Sequence, residues 1–420
     1  ILTSSPLSTS IFKFLSLDIP LFNSRPIFET DKFLSANNFL LGTKTISPGE
    51  KSIEVSIEIT PEICESWDRF FRITRAEVAL FVAFQNAVSE GTEKELFPNY
   101  QIPTSILEWP GNGNSSIGQA FRLAPYTNVA GDITYEPELG DFPFFDLEGT
   151  VDCRAERKDR SESSRRPLFG DETFWWIFND KGNLHTETQA PSIGMEIHAQ
   201  AFSFATNDAV NDMTFFNFEL INRSTFTLTE TYFANYVDAD VGNFRDDYVG
   251  CDVNRGLGYA YNGDEFDESV QGQTGYGSNP AAIGVDFFEG PFQDPDGIDN
   301  QVGIGPNQAL NGLGYGDGVR DNERFGMRRF VFYNNDLGAT NGDPQLAIHF
   351  YNYMRGIWKN GQVMRHGGNG FNSTAVENIP TAFMFPGDTD PLHWGTTDAN
   401  GVTTVPQNLD WSEDNPGVGE

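Results

Sequence analysis

Apolar and polar residues alternate along much of the middle of the chain, and this alternation predicts β-strands. The clearest runs are TFWWIFND at residues 173–180, MEIHAQA at 195–201 and FNFEL at 216–220. A repeat of two residues places successive side chains on opposite faces of a strand. Apolar runs at residues 325–333 and 346–358 are interpreted as further strands. Together these runs predict antiparallel strands packed as a sandwich.

One segment has helical spacing instead. Thr74 can cap the start of a helix, Glu77 stands three residues later as its partner in a capping box, and Gly91 can end the helix. The apolar residues that would face the core are Val78, Phe81, Val82, Phe84 and Val88. Because the segment is short and lacks a basic polar face, we predict that it packs on a sheet rather than on a membrane surface.

These patterns divide the chain into three segments. Residues 1–60 form a β-rich opening, in which SIEVSIEIT at 52–60 alternates as a half-buried strand would. Residues 61–170 contain the helix and turn-rich loops. Residues 171–420 hold the strand signals and form the main β region, which we expect to continue beyond the last residue.

The composition supports a β-rich fold. The 420 residues include 37 Phe, so aromatic rings would fill much of the core. The 42 Gly and 23 Pro favour many turns and short strands over long helices. The predicted fold class is therefore mainly β: an antiparallel, jelly-roll-like β-sandwich with long Gly/Asp-rich loops and one or two short helices.

The charge of the chain excludes several kinds of partner. Asp and Glu number 60 against 27 Lys and Arg, which gives a formal net charge of -33. Nucleic-acid binding requires a basic face, and an anionic membrane surface would repel this chain as well. No apolar stretch is long enough to cross a bilayer, so we predict no membrane insertion. Such a charge suits solubility in a salty medium rich in divalent cations.

The cysteine content is low. Cys64, Cys153 and Cys251 occur without any CxxC pair, which excludes a zinc knuckle and a dense disulfide framework. The number allows one disulfide and one thiol, and the spacing leaves open which two cysteines would pair. Because the sequence begins ILTSSPLS without a methionine, we expect a processed or partial chain whose secretory signal has been removed.

The stretch of residues 232–267 concentrates carboxylates among glycines. We single out five aspartates in this stretch: Asp238, Asp240, Asp246, Asp247 and Asp252. Two carboxylates about 4 Å apart repel each other by about 4 kcal/mol at an effective dielectric constant of about 20. A folded loop system of this kind needs either a bound cation or wide separation, and calcium prefers such oxygen ligands. We predict a calcium-binding loop; the alternative is that these aspartates solvate turns.

A second acidic loop follows. The sequence DPDGIDN places Asp294, Asp296 and Asp299 around Gly297, as at the start of an oxygen-ligand calcium loop. The twelfth position of an EF-hand is not a glutamate here, so the loop is not an EF-hand. We also consider a further cation site near Asn128 and Asp132.

Several stretches together resemble a known group of proteins. They include YEPELGDFP at 135–143, GMEIHAQAFSF at 194–204, YVDADVGNFRDDYVGCDVNRGLGYAYNGD at 236–264 and FMFPGDTDP at 383–391. These stretches resemble large, uncharacterised cell-surface or secreted proteins of Bacteroidota that are exported by the type IX pathway. The resemblance implies an extracellular or outer-surface location in a Gram-negative bacterium. It also implies partner proteins at the cell surface or in the secretion machinery.

Enzymatic motifs are weak in this sequence. Glu196 and Glu219 are the best candidates for the paired carboxylates of a glycoside hydrolase, which must stand about 5 to 10 Å apart. The five His residues never show HxH or HExxH spacing, and no Ser stands in a GxSxG motif. The glycine-rich residues 303–318 lack the lysine of a P-loop. We therefore assign no catalytic residue.

Two functions from different classes remain. The first is a secreted or cell-surface structural or adhesive β-protein with calcium-stabilised acidic loops. The alternative is a carbohydrate-binding module or glycoside hydrolase that acts on extracellular polysaccharide. Exposed tryptophans in a row would favour this alternative, and the candidates are Trp175, Trp176, Trp358, Trp394 and Trp411.

Overall fold

The computed structural model describes most of the chain between residues 70 and 386. The described residues are 39–44, 70–112, 122–129, 131, 134–148, 167–181, 185–186, 188–244, 247–263, 265–270, 272, 274–303, 307–333, 337–366, 370–371 and 380–386. The predicted strand at 52–60 lies outside these residues, as do Cys64 and Cys153. Cys251 carries a buried thiol whose Sγ lies 3.3 Å from the carbonyl oxygen of Met384.

Strands predominate over helices in the described residues. The strands are β1 (Phe39–Lys44), β2 (Phe71–Thr74), β3 (Tyr126–Thr127), β4 (Phe142–Pro143), β5 (Glu172–Asn179), β6 (Met195–Ser203), β7 (Phe215–Asn222), β8 (Thr229–Asn235), β9 (Asp247–Asp252), β10 (Leu257–Asn262), β11 (Phe266–Asp267), β12 (Gly277–Ser278), β13 (Ala282–Asp286), β14 (Gly312–Leu313) and β15 (Arg324–Phe325). The α-helices are α1 (Arg75–Glu90), α2 (Glu93–Leu96), α3 (Thr104–Leu107) and α4 (Ala347–Met354). Short 3₁₀ turns cover Pro137–Leu139 and Ala209–Asp212.

The largest described sheet has the strand order β2-β5-β6-β7, and every pairing in it is antiparallel. Its three long strands coincide with the runs in which apolar and polar residues alternate. A second sheet has the order β13-β10-β9, and β1 pairs with β8. The prediction of a mainly β fold with antiparallel sheets and few helices is therefore confirmed. The jelly-roll-like sandwich arrangement stays a prediction.

Helix α1 begins and ends where the sequence predicts. The backbone N–H of Glu77 donates to Thr74 Oγ1 at 3.1 Å, and the N–H of Thr74 donates to the Glu77 carboxylate at 2.9 Å. Gly91 ends the helix with a left-handed φ of 70°. The buried face carries Ala87, whereas Val88, which we expected to face the core, is 44% exposed. Near the C-terminal end of the helix, the residue that faces the core is therefore Ala87 and not Val88.

Contacts divide the chain into two compact units. One comprises residues 1–47, 183–191 and 226–420, and the other comprises residues 48–182 and 192–225. Each unit draws on more than one of the three predicted segments, whose boundaries stay a prediction.

Each unit has its own hydrophobic core, to which aromatic rings contribute strongly. The larger buried side chains of the second unit include Phe71, Ile73, Val78, Phe81, Ile106, Trp109 and Trp175. Those of the first unit include Tyr353, Trp358, Met364, Phe383, Met384 and Phe385. Trp175, Trp176 and Trp358 are all buried, so none of the three is exposed to stack on a sugar. Trp394 and Trp411 lie outside the described residues.

The two later strand predictions are wrong in most of their length. Residues 347–354 form helix α4, and a short continuous apolar run cannot distinguish a strand from a helix. The buried ring of Tyr353 stacks on Tyr333 at a centroid distance of 4.6 Å, and this contact fixes the helix against the core. In the other run, 325–333, only Phe325 belongs to a strand, as the last residue of β15, and Phe330 forms an isolated bridge to Phe383.

Within the described residues, the structure contains no helix that is both long and apolar enough to cross a membrane.

Candidate functional site

The first acidic stretch contains a β-hairpin, and this hairpin separates its aspartates. Asp247 and Asp252 are the first and last residues of β9, and both are buried. At about 3.3 Å per residue, the five steps between them place their backbones roughly 16 Å apart. Asp238 and Asp240 precede the hairpin, and Asp246 lies outside the described residues. Asp247 and Asp252 are therefore too far apart to bind the same ion.

Each of these two buried carboxylates closes a turn of the backbone. Oδ2 of Asp247 accepts a hydrogen bond from the N–H of Val241 at 2.8 Å. Oδ1 of Asp252 accepts one from the N–H of Arg255 at 3.0 Å, and the Arg255 guanidinium forms an ion pair with the same carboxylate. The two aspartates thus fix the loop before β9 and the turn after it.

A third carboxylate of this stretch, Asp267, was not among the predicted ligands. Its side chain is 1% exposed and accepts hydrogen bonds from the N–H groups of Asn243 at 3.2 Å and Tyr276 at 2.6 Å. A Cβ built on Gly242 would overlap Asp267 Oδ2, and Gly242 has a φ of 77°. Glycine is required at 242 because the backbone turns directly over this carboxylate.

In the second acidic loop, carboxylates also accept hydrogen bonds from backbone N–H groups. The two carboxylate oxygens of Asp299 accept from the N–H groups of Gly316 and Gly318, both at 2.9 Å. Asp296 Oδ1 accepts from the N–H of Ile298 at 2.9 Å. These bonds connect parts of the loop that lie up to 19 residues apart.

Two acidic residues that we did not single out complete this loop. Oδ1 of Asp321 accepts from the N–H groups of Asp296 at 2.7 Å and Gly297 at 2.8 Å. The buried Glu323 accepts from the N–H of Asn300 at 2.6 Å. By contrast, the predicted ligand Asp294 is exposed.

Carboxylates also accept hydrogen bonds from backbone amides in the second unit, which comprises residues 48–182 and 192–225. Asp141 is fully buried and accepts from the N–H groups of Val129 at 2.7 Å and Glu136 at 2.9 Å. Near the predicted further cation site, the side-chain oxygen of Asn128 accepts from the N–H of Gly131 at 2.5 Å. Asp132, the acidic neighbour we expected there, lies outside the described residues.

Asp180 is a further example in this unit. Its carboxylate receives the N–H groups of three successive residues, Ile193, Gly194 and Met195, at the start of β6. One aspartate thus satisfies three neighbouring donors of a glycine-bent segment.

The repeated arrangement has a simple physical basis. Backbone N–H groups in loops lack the partners that helices and sheets supply, and leaving them unpaired and buried is costly. An ionised carboxylate is an acceptor-only group with two oxygens, and its bonds to N–H donors are stronger than those between neutral groups. The acidic loops are thus stabilised by hydrogen bonds within the protein.

The described residues contain no group of three or more His, Cys, Asp or Glu side chains arranged to hold a metal ion. Calcium therefore stays a prediction for Asp238, Asp240, Asp246, Asp247, Asp252, Asp294, Asp296 and Asp299.

The candidate catalytic pair, Glu196 and Glu219, meets at a buried histidine. Nε2 of His198 lies 2.9 Å from Glu196 Oε1, and Nδ1 lies 3.4 Å from Glu219 Oε2. Arg223 Nη2 donates to Glu196 at 2.9 Å. The sequence pattern placed Glu196 and His198 on one face of a strand, but it could not identify His198 as the residue between two carboxylates.

This cluster shifts two pKa values. Burial favours the neutral imidazole, but the hydrogen bonds from His198 to Glu196 and Glu219 outweigh it and raise the pKa of His198. Burial also opposes the charge of Glu196, yet the hydrogen bonds from His198 and Arg223 lower the pKa of Glu196 to about 2. When His198 is protonated, both glutamates form ion pairs with its imidazolium, and these pairs connect β6 and β7.

Sequence reasoning missed a group of arginines in the first unit. Arg328, Arg329 and Arg355 line one cleft of about 290 Å³. The adjacent pair Arg328–Arg329 is a visible signal in so acidic a sequence, but only the fold brings Arg355 to it.

Comparison of the chain with known protein families, with curated proteins and with solved structures found no match.

Proposed function

We propose that the chain is a structural or adhesive β-module of the cell surface or of a secreted protein, with acidic loops held in fixed conformations. The observation that carries the proposal is the use of carboxylates as acceptors for loop amides. Seven loop N–H groups in all donate hydrogen bonds to three aspartates, Asp267 and Asp299 in the first unit and Asp180 in the second.

Loops of this kind suit a surface that contacts other molecules. Binding surfaces are often built from loops that a rigid scaffold positions. A loop that is ordered before contact loses less conformational entropy when it binds. The described residues of the acidic loop 241–247 are buried or half-buried, whereas many described residues of the acidic loop 294–323 are exposed. The described part of the loop 294–323 can therefore act as a preformed contact surface.

Calcium binding remains part of this proposal. Asp240 directly precedes the first acidic loop and Asp294 begins the second; both are exposed and have other hard oxygen ligands nearby in the sequence. A divalent ion there would reduce the repulsion expected from a net charge of -33. The ion would add to loops that are already hydrogen-bonded.

The alternative function, action on extracellular polysaccharide, receives less support. Glu196 and Glu219 both bind His198, and Trp175, Trp176 and Trp358 are buried. Neither the carboxylates nor these rings form a sugar-binding surface.

Adhesion of coated particles tests the proposed function. Beads that carry the purified chain should adhere to surfaces of the producing bacterium, and beads that carry Asp267→Asn should adhere less because one loop is released. Asp212→Asn, an exposed change outside the two acidic loops, is the matched control and should leave adhesion unchanged. Equal adhesion of uncoated beads, or rapid turnover of a polysaccharide by the purified chain, would reject the structural or adhesive role.

A further inference from the structure

The cleft in the first unit combines cationic and apolar side chains. Its volume is about 290 Å³, near the lower end of the range for small-molecule pockets. Three arginines, Arg328, Arg329 and Arg355, line it together with apolar residues that include Leu310 and Met327. No Asp or Glu is among the described residues that line it. This composition is the reverse of the chain as a whole, in which acidic residues outnumber basic ones 60 to 27.

Two of the cleft arginines differ from several other arginines of the described chain in their charge partners. Arg223, Arg255 and Arg324 each form an ion pair with a neighbouring carboxylate. Within the described residues, neither Arg329 nor Arg355 has such a pair. In a chain with so many carboxylates, the cleft keeps two guanidinium groups available to another anion.

The surrounding residues hold the three guanidinium groups in place. Arg329 Nη1 donates to the carbonyl oxygen of Arg328 at 2.7 Å. A Cβ on Gly356 would overlap the stem of Arg329, so glycine at this position makes room for that side chain. Arg355 lies over the ring of Tyr351 at 5.4 Å from the ring centroid. Arg328 lies over the ring of Phe325 at 5.1 Å.

Arg329 and Arg355 are exposed, so an anion from solution can reach both guanidinium groups. Loss of solvent around its guanidinium, and then the neighbouring charge of Arg328, lower the pKa of Arg329. An oxyanion between the arginines would relieve this repulsion. The planar guanidinium fork binds carboxylate, sulfate and phosphate groups through two parallel hydrogen bonds.

We propose that this cleft binds a small organic anion whose carboxylate, sulfate or phosphate group contacts Arg329 and Arg355. The apolar part of the anion packs against Leu310, Met327 and Ile357. Leu310 belongs to the acidic loop 294–323, whereas the three arginines lie outside both acidic loops. The proposal does not rest on the structural or adhesive role proposed above.

Calorimetric titration of the whole chain with matched probes tests the proposal. The probes are phenyl phosphate, benzoate, inorganic phosphate, which lacks the apolar part, and benzamide, which lacks the charge. Phenyl phosphate and benzoate should bind at least about tenfold more tightly than either of the other two. Equal binding of benzoate and benzamide would overturn the proposal, because the arginines would then contribute nothing.

Variants identify the site. Arg355→Gln and Arg329→Gln should each weaken phenyl phosphate binding by about tenfold. Gln308→Glu keeps the size of a lining side chain and places a negative charge in the cleft, so it should weaken binding even if an arginine variant fails to fold. Arg320→Gln is the matched control, because Arg320 is exposed and outside the cleft. If Arg320→Gln weakens binding as much as Arg355→Gln, the attraction is a diffuse charge effect and the proposal is wrong.

Discussion

The carboxylate of Asp267 accepts the N–H of Tyr276 over a distance of 2.6 Å, and this bond connects two segments that sequence alone does not relate. The same carboxylate accepts from Asn243, which lies 24 residues earlier. Asp267 is therefore a connection between the loop before β9 and the segment that enters β12. Because the carboxylate is buried, its loss leaves amide donors without an acceptor.

Replacing Asp267 should destabilise the protein. In Asp267→Asn the side chain keeps its size but loses one acceptor oxygen, so that an amide donor stays buried and unpaired. We expect the free energy of unfolding to fall by about 1–3 kcal/mol, measured by urea denaturation. Asp294→Asn makes the same chemical change at an exposed position, and its effect should stay within about 0.5 kcal/mol. Equal effects of the two variants would show that Asp267 has no special role.

Gly242 provides a second test of the same connection. Gly242 and Gly91 both have left-handed backbone conformations, with φ of 77° and 70°. A Cβ at Gly91 would meet no atom within 4 Å, whereas a Cβ at Gly242 would overlap the Asp267 carboxylate. Both alanine variants carry the strain of positive φ, which is about 1 kcal/mol. Gly242→Ala should therefore lower the thermal midpoint clearly more than Gly91→Ala, and equal midpoints would contradict the close approach.

The His198 cluster predicts a window of pH in which it stabilises the sheet. Since the pKa of His198 is raised above 6.5, its contribution is complete below pH 6.5 and is lost as the pH rises through the folded-state value. Since the pKa of Glu196 is lowered from 4.5 to about 2, its contribution is complete above pH 4.5 and is lost as the pH falls toward 2. The groups that face His198 are Glu196 and Glu219, and Arg223 binds Glu196.

Urea denaturation of His198→Gln across pH 3 to 9 measures this window. The stability difference from the wild type should be largest between about pH 4.5 and 6.5 and should decrease at higher pH. The control is His349→Gln, because burial and the charge of Lys359 lower the pKa of His349. That variant should show the opposite trend, with the contribution of His349 decreasing as the pH falls. A difference for His198→Gln that does not vary with pH would contradict the cluster.

Calcium should raise the stability of the chain if the acidic loops bind it. A ligand that binds only the folded state adds RT ln(1 + [L]/Kd), or about 2.7 kcal/mol at a hundredfold excess over Kd. The thermal midpoint should therefore be higher in millimolar calcium than in chelator. Magnesium at the same concentration controls for screening, since it demands stricter octahedral geometry. Equal midpoints in calcium and chelator would reject calcium as a cofactor.

Local patterns predicted the parts of the fold that depend on local chemistry. The capping box of Thr74 and Glu77 and the alternation in β5, β6 and β7 involve residues close in sequence. The run 346–358 was predicted wrongly because its mostly apolar residues fit a strand as well as a helix. The contact of Tyr353 with Tyr333 favours the helix.

The candidate sites depend on contacts between distant residues, which the sequence does not reveal. The abundance of aspartate in the loops was visible, but the amides that Asp299 binds follow it by 17 and 19 residues. Likewise, Arg355 joins Arg328 and Arg329 only because helix α4 ends beside them. Repulsion between neighbouring carboxylates led us to predict a bound cation. In the structure, backbone N–H groups also stabilise these carboxylates by donating hydrogen bonds to them.

Hydrogen exchange in chelator tests most directly whether carboxylates hold the acidic loops. The amides of Tyr276 and Gly318, which bind Asp267 and Asp299, should exchange slowly without any divalent ion. In Asp267→Asn the amide of Tyr276 should lose protection while that of Gly318 keeps it, and Asp299→Asn should give the reverse. Rapid exchange of both amides in the chelated wild-type protein, with protection restored only by calcium, would contradict the account.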